Sequence, residues 1–128
     1  MSLKAGDVIE FERRFTKADV ELFTKSSRDE GAHHLTPDEK GRLVVQGLLT
    51  ATLPTKIGGD YNVLARHMNF EFLRPVFTED TIRCEVTIEE NERQETKNRT
   101  SIVASFICTN QKQKHVLKGN FSGVILDS

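Results

Sequence analysis

The sequence predicts an α+β fold, in which one buried helix lies against an antiparallel sheet. Three observations carry this. Residues 43–57 (LVVQGLLTATLPTKI) are apolar nearly all round and carry almost no charge until Lys56. The chain beyond residue 65 repeatedly alternates apolar and polar residues, the pattern of half-buried strands. A short helix-like stretch precedes both. The 128 residues are read as one domain, 1–128.

Taken in order, Val8–Phe15 mixes β-branched and aromatic residues with charges and reads as a strand, with an edge position open to it. Thr16 is placed as an N-cap, with Asp19 three residues on completing a capping-box pair. That helix runs to about Lys25 and buries one side through Ala18, Val20, Leu22 and Phe23. Ser26–His34 is irregular, and Leu35–Arg42 is polar and turn-rich. For 43–57, periodicity alone does not separate a buried helix from a buried strand; length and the Gly58-Gly59 stop favour the helix. Pro54 should kink or end it.

In 65–76, Met68, Phe70 and Phe72 share one parity, and Pro75 with Thr78-Glu79-Asp80 ends the strand. Ile82, Cys84, Val86 and Ile88 alternate with Arg83, Glu85 and Thr87. Glu89–Arg99 reads as a charged hairpin loop. Ile102, Ala104, Phe106 and Cys108 alternate with Val103, Ser105 and Ile107, which predicts a strand covered on both faces. Leu117, Gly119, Phe121, Gly123 and Ile125 share a parity in the last strand. No repeat or low-complexity segment interrupts this order.

Composition narrows the function. Eighteen basic against 19 acidic residues give a net charge of −1, which offers nothing to nucleic acid or an anionic membrane. No apolar run approaches the roughly 18 residues of a membrane span, and Met1–Asp7 lacks a signal-peptide core, so a cytoplasmic location is expected. Cys84 and Cys108 sit on apolar parities and read as buried thiols, not as a disulfide.

The chemistry-bearing stretch is Ser26–His34, with a carboxylate at Asp29 and an imidazole at His34. In a helix, five steps of about 100° would set them about 140° apart, so they can meet only across a turn. Two readings stand for Asp29: a turn residue bonding its own backbone, or an acid–base group. His33 beside His34 leaves the register open by one residue. Adjacent histidines lack the i, i+4 spacing of a helical zinc motif, so no metal or cofactor is expected. Gly47 is either a close-packing glycine or the opening of the buried helix onto a ligand. Arg74 reads by default as an exposed strand-end residue.

Four motifs together resemble the MaoC-like (R)-specific enoyl-CoA hydratase and (3R)-hydroxyacyl dehydratase family. The 15–23 segment is similar to that family's first helix and cap, and Asp29–His34 to its Asp-x-Asn-Pro-x-His loop. Val45–Ala51 resembles its Val-His-Gly-Met-Leu helix start. Phe72–Val76 with Asp80-Thr81 resembles its Phe-x-x-Pro-Val…Gly-Asp turn. The resemblance implies a single hotdog domain, an antiparallel sheet wrapped around a central helix, pairing as a homodimer. It implies reversible hydration of a trans-2-enoyl thioester to the (3R)-3-hydroxyacyl thioester, carried on coenzyme A or an acyl carrier protein. Asp29 and His34 would then hold the water, the Gly47 amide would face the thioester oxygen, and Thr55 would support Asp29. Three departures are visible: Gly31-Ala32 replaces Asn-Pro, Gln46 replaces the helix-opening histidine, and the segment between His34 and Gly47 is short. The same frame admits a hotdog thioesterase or a non-catalytic acyl-thioester-binding protein.

Overall fold

The computed structural model describes residues 3–127. Strand β1 (Val8–Arg14) leads into helix α1 (Lys17–Ser27), then the single-turn α2 (Ala32–Leu35). The central helix is two pieces, α3 (Gly47–Thr50) and α4 (Thr52–Asp60). Strands β2 (Val63–Phe72), β3 (Thr81–Gln94), β4 (Arg99–Thr109) and β5 (His115–Leu126) complete one antiparallel sheet, ordered β1-β3-β4-β5-β2.

Cross-strand register explains why the alternation was readable. Cys84 faces Cys108, Val86 faces Phe106 and Ile88 faces Ala104, while Cys108 faces Leu117 and Ala104 faces Phe121. All of these lie on the face that packs with Leu49, Leu53 and Ile57 of the central helix in one core. A one-residue slip would turn the whole set outward, so burial fixes the register. The two cysteines are opposed and fully buried, and neither is in a disulfide. Contact with the Cys84 thiol, reinforced by burial, pushes the Cys108 thiol well above its ordinary pKa. At neutral pH it stays a protonated, unreactive hydrophobe.

Between β5 and β2 the sheet closes tightly. A Cβ on Gly119 would collide with the Asn69 carbonyl, and one on Gly123 with the Leu64 carbonyl. The glycines let the β2 backbone press against β5, and the Phe106 ring lies over Gly119.

Six expectations are corrected. Helix α1 runs two residues past Lys25, ending where Arg28 turns left-handed (φ 62°) and its N–H bonds the Thr24 carbonyl. Residues 43–45 are extended, with Val44 bridged to Phe77, and the helix begins only at Gly47. Its break falls at Ala51, and Pro54 sits in the first turn of α4. The Pro54 ring has no N–H for the Thr50 carbonyl four residues back and would clash with it, so the helix restarts instead of bending. It then runs through Gly58-Gly59 to Asp60. The charged 89–99 segment is mostly strand: β3 reaches Gln94, and only 95–98 turn. Paired backbone and polar ties such as Arg99 Nε to Gln94 Oε1 (2.6 Å) extend the hairpin without an apolar face. The central strand β4 is covered on one face only, since Val103 and Ile107 are half-buried and lie outside the core.

Candidate active site

The site is built on the irregular stretch between α1 and α3. The capping box at Thr16 is present: the Asp19 N–H donates to Thr16 Oγ1 (3.2 Å) and the Thr16 N–H to Asp19 Oδ2 (2.8 Å). It fixes where α1 starts, and the Arg28 cap fixes where it stops. The next residue is Asp29. Its N–H donates to Ser27 Oγ (3.0 Å), and its Oδ1 accepts from the Gly31 N–H (3.3 Å). This Asx turn is the bland reading of Asp29, and it uses only one carboxylate oxygen.

The other oxygen faces His34. Asp29 Oδ2 lies 3.5 Å from His34 Nε2. His34 is buried, and its Nδ1 is 2.6 Å from the Val44 carbonyl oxygen. A carbonyl only accepts, so Nδ1 carries a proton, and in the neutral tautomer Nε2 is then the lone-pair nitrogen. The pair is therefore two acceptors facing each other, not an ion pair while the imidazole is neutral. A water donating one hydrogen to each would be held with its own lone pairs free.

The Val44 carbonyl is well anchored. The Val44 N–H bonds the His33 carbonyl (3.0 Å), and the Val45 N–H bonds the Val76 carbonyl (2.8 Å). Leu43 and Thr78 are tied both ways, Leu43 N–H to Thr78 Oγ1 (3.1 Å) and Thr78 N–H to the Leu43 carbonyl (2.9 Å). This short extended segment orients the imidazole from behind, as outer partners orient functional histidines elsewhere.

The structure also settles the register between the two histidines. His34 turns inward, while His33 is exposed and lies on it, ring centroids 3.9 Å apart at 57°. Gly31 has φ −53° and ψ 140°, a conformation open to any residue. Its lack of a side chain serves the His33 ring: a Cβ there would stand 3.0 Å from His33 Cε1. The departure at Gly31 thus seats a second imidazole over the first.

Gln46, the second departure, is buried. Its Nε2 donates to Thr24 Oγ1 (2.8 Å), tying the opening of α3 to the last turns of α1. Its Oε1 has no partner among the described residues. The Gln46 side chain does not cap α3, so the first-turn amides, Gly47 included, have no side-chain acceptor. A Cβ on Gly47 would meet the Phe72 ring at 3.2 Å, which is the close-packing reading of this glycine. A cleft of about 300 Å³ joins His33, His34, Val44, Gly47, Phe72 and Arg74.

Thr55 is not brought to the pair. Its hydroxyl donates to the Thr52 carbonyl one turn back, and it lines a separate small groove with Met68 and Phe121. Arg74 is exposed, as expected, and its Nη1 donates to the His115 carbonyl (2.7 Å). Gln46 is the residue that the sequence did not single out as part of the site; its signal was a lone polar residue inside an apolar run.

No family model and no curated protein matches this chain. Solved structures do. An (R)-hydratase from A. caviae involved in PHA biosynthesis superposes with a TM-score of 0.82 at 24% identity, over 98% of each chain. The R-hydratase PhaJ1 from Pseudomonas aeruginosa gives 0.81 at 21%, over 98% of this chain and 83% of that one. A MaoC-like dehydratase from Rhodospirillum rubrum gives 0.74 at 16%, over 98% and 94%. The fold is the hotdog fold of the MaoC-like hydratases and dehydratases. In hotdog terms α3 and α4 are the central helix, and the five strands are the sheet around it. At these identities the likeness carries the fold, and the chemistry rests on the residues of the cleft. No helix of the described chain is long and apolar enough to cross a membrane.

Proposed function

We propose that this hotdog protein is a hydro-lyase, adding water reversibly to a trans-2-enoyl thioester to give the (3R)-3-hydroxyacyl thioester. The observation that carries the reading is the approach of Asp29 Oδ2 to His34 Nε2, 3.5 Å apart, in a chain segment that shares its cleft with the start of α3. Water placed between them donates both hydrogens and turns a lone pair to the β-carbon. As the C–O bond forms, one of the two bases takes a proton from the water. The electron pair of the alkene moves onto the thioester carbonyl as an enolate, and the proton taken by the base is returned to the α-carbon, which completes the addition and restores the pair. The Gly47 amide is the donor that faces the developing enolate oxygen. Dehydration is the same path reversed.

The thioesterase alternative needs water at the carbonyl carbon itself. A polarised carbonyl serves both reactions, so the products separate them. The hydratase consumes the enoyl-thioester absorbance of crotonyl-CoA without releasing thiol. Release of free thiol from saturated acyl-CoAs supports the thioesterase. Tight acyl-CoA binding without turnover, indifferent to Asp29→Asn, supports a binding protein instead.

The active form is proposed to be a homodimer. The edge strand β2 exposes Leu64 (56%) and Phe72 (52%), and Leu48 at the start of the central helix is 63% exposed. An unpaired edge with apolar side chains beside the cleft invites a second copy. A monomer in sedimentation at micromolar concentration would count against it.

A further inference from the structure

A second, larger cleft adjoins the first. It encloses about 700 Å³ and shares Arg74 and Pro75 with the cleft at His34 and Gly47, so the two have a common wall. Six of the chain's 18 basic residues line it: Lys17, Lys40, Arg42, Arg74, Lys112 and Lys114. They come from four segments, the start of α1, the 40–42 turn, the connection after β2 and the β4–β5 turn. A chain with a net charge of −1 thus gathers a third of its cations in one concavity.

Neither carboxylate of the cleft pairs with a cation of the cleft. Glu79 pairs with Arg14 (3.3 Å), and Asp80 accepts from the Phe77 N–H (3.0 Å) and from Gln111 Nε2 (2.9 Å). Arg42 is held by Asp38 (2.9 Å) and lies 3.8 Å over the Phe77 ring. Among the described residues no carboxylate stands within ion-pair distance of Lys17, Lys40, Lys112 or Lys114. Four uncompensated ammonium groups around one concavity repel each other, and a polyanion relieves that repulsion.

We propose that this cleft receives the phosphates of coenzyme A, the pantetheine arm crossing the Arg74–Pro75 wall to the Asp29–His34 pair. The inference rests on the hydro-lyase reading and names its carrier. A concavity of this size is in the range of small-molecule sites, whereas a docked carrier protein meets a broad surface of about 800 Å² per partner.

The test uses the full chain, adenosine 3′,5′-bisphosphate as a binding probe, and crotonyl-CoA beside crotonyl-pantetheine as substrates. The variant is Lys112→Glu with Lys114→Glu; the control is Lys97→Glu at the far end of β4. Calorimetry should show bisphosphate binding that weakens with salt and falls roughly tenfold or more in the double variant, but not in the control. The preference in kcat/KM for crotonyl-CoA over crotonyl-pantetheine should fall by a similar factor. Unchanged bisphosphate affinity, equal losses with both thioesters, or turnover of a crotonyl carrier protein only, would overturn the proposal. If neither thioester is turned over, the hydro-lyase reading fails while calorimetry still decides the cleft.

Discussion

The β3–β4–β5 sheet and the 28–46 segment are held in place by different physics. In the sheet, position is over-determined. Val86 faces Phe106 and Ile88 faces Ala104, all four are buried on the same face, and any one contact is backed by its neighbours. In the 28–46 segment few side chains are buried, and placement depends on single polar contacts: His34 to the Val44 carbonyl, Gln46 to Thr24, Asp29 to the Gly31 amide. Losing a sheet contact should cost stability and leave chemistry intact. Losing a loop contact should do the reverse.

The sharpest break in that comparison is Asp29→Asn. Asp29 is half-exposed, so the fold should tolerate it, while hydration should fall roughly a hundredfold to ten-thousandfold. Thermal melts beside crotonyl-CoA turnover check both halves. Ile102→Ala is the mirror experiment. It opens a cavity in a fully buried site and should cost about 2–5 kcal/mol in denaturant unfolding, with kcat of the folded fraction unchanged.

Gln46→Leu tests a smaller effect. It removes the bond to Thr24 and also the unpartnered Oε1, and Thr24 keeps its own bond to the Val20 carbonyl (2.8 Å). Stability should move by about 1 kcal/mol or less. Turnover should still drop, because α1, which delivers Asp29, is no longer tied to the start of α3. Unaltered turnover would make Gln46 a packing residue only.

The smallest effect is electrostatic. Asp127 is bonded through both oxygens to Arg93 (2.6 and 2.7 Å), which holds its carboxyl below the ordinary 3.8. A lowered folded pKa gives stability that is full above the unfolded value and lost as pH falls through the folded one. Asp127→Asn should therefore trail the native chain slightly at neutral pH. The two should converge only below about pH 4, as pH-dependent melts would show.

The same contrast explains what could be read from the residues alone. The strands were legible because alternate burial forces a period of two, and Ile82–Ile88 displays it without interruption. The ends of β3 and β4 were not, because exposed strand tips have no core face to impose that period. Asp29 and His34 could be picked out by type and order, but their meeting depends on the Val44 carbonyl, ten residues from His34 and invisible to any spacing rule. Gly31 stood out only as a departure from Asn-Pro, and in the structure the His33 ring lies against it. Thr55 was assigned from the family resemblance, and its hydroxyl is instead spent on the Thr52 carbonyl within α4.

The most direct measurement of the central claim is mass spectrometry of crotonyl-CoA incubated with the protein in heavy-oxygen water. The Asp29–His34 site predicts 3-hydroxybutyryl-CoA with the thioester intact and one heavy oxygen at C3, and no such product from Asp29→Asn. Free coenzyme A with the label in a carboxylate, or label at C3 undiminished by Asp29→Asn, would contradict it.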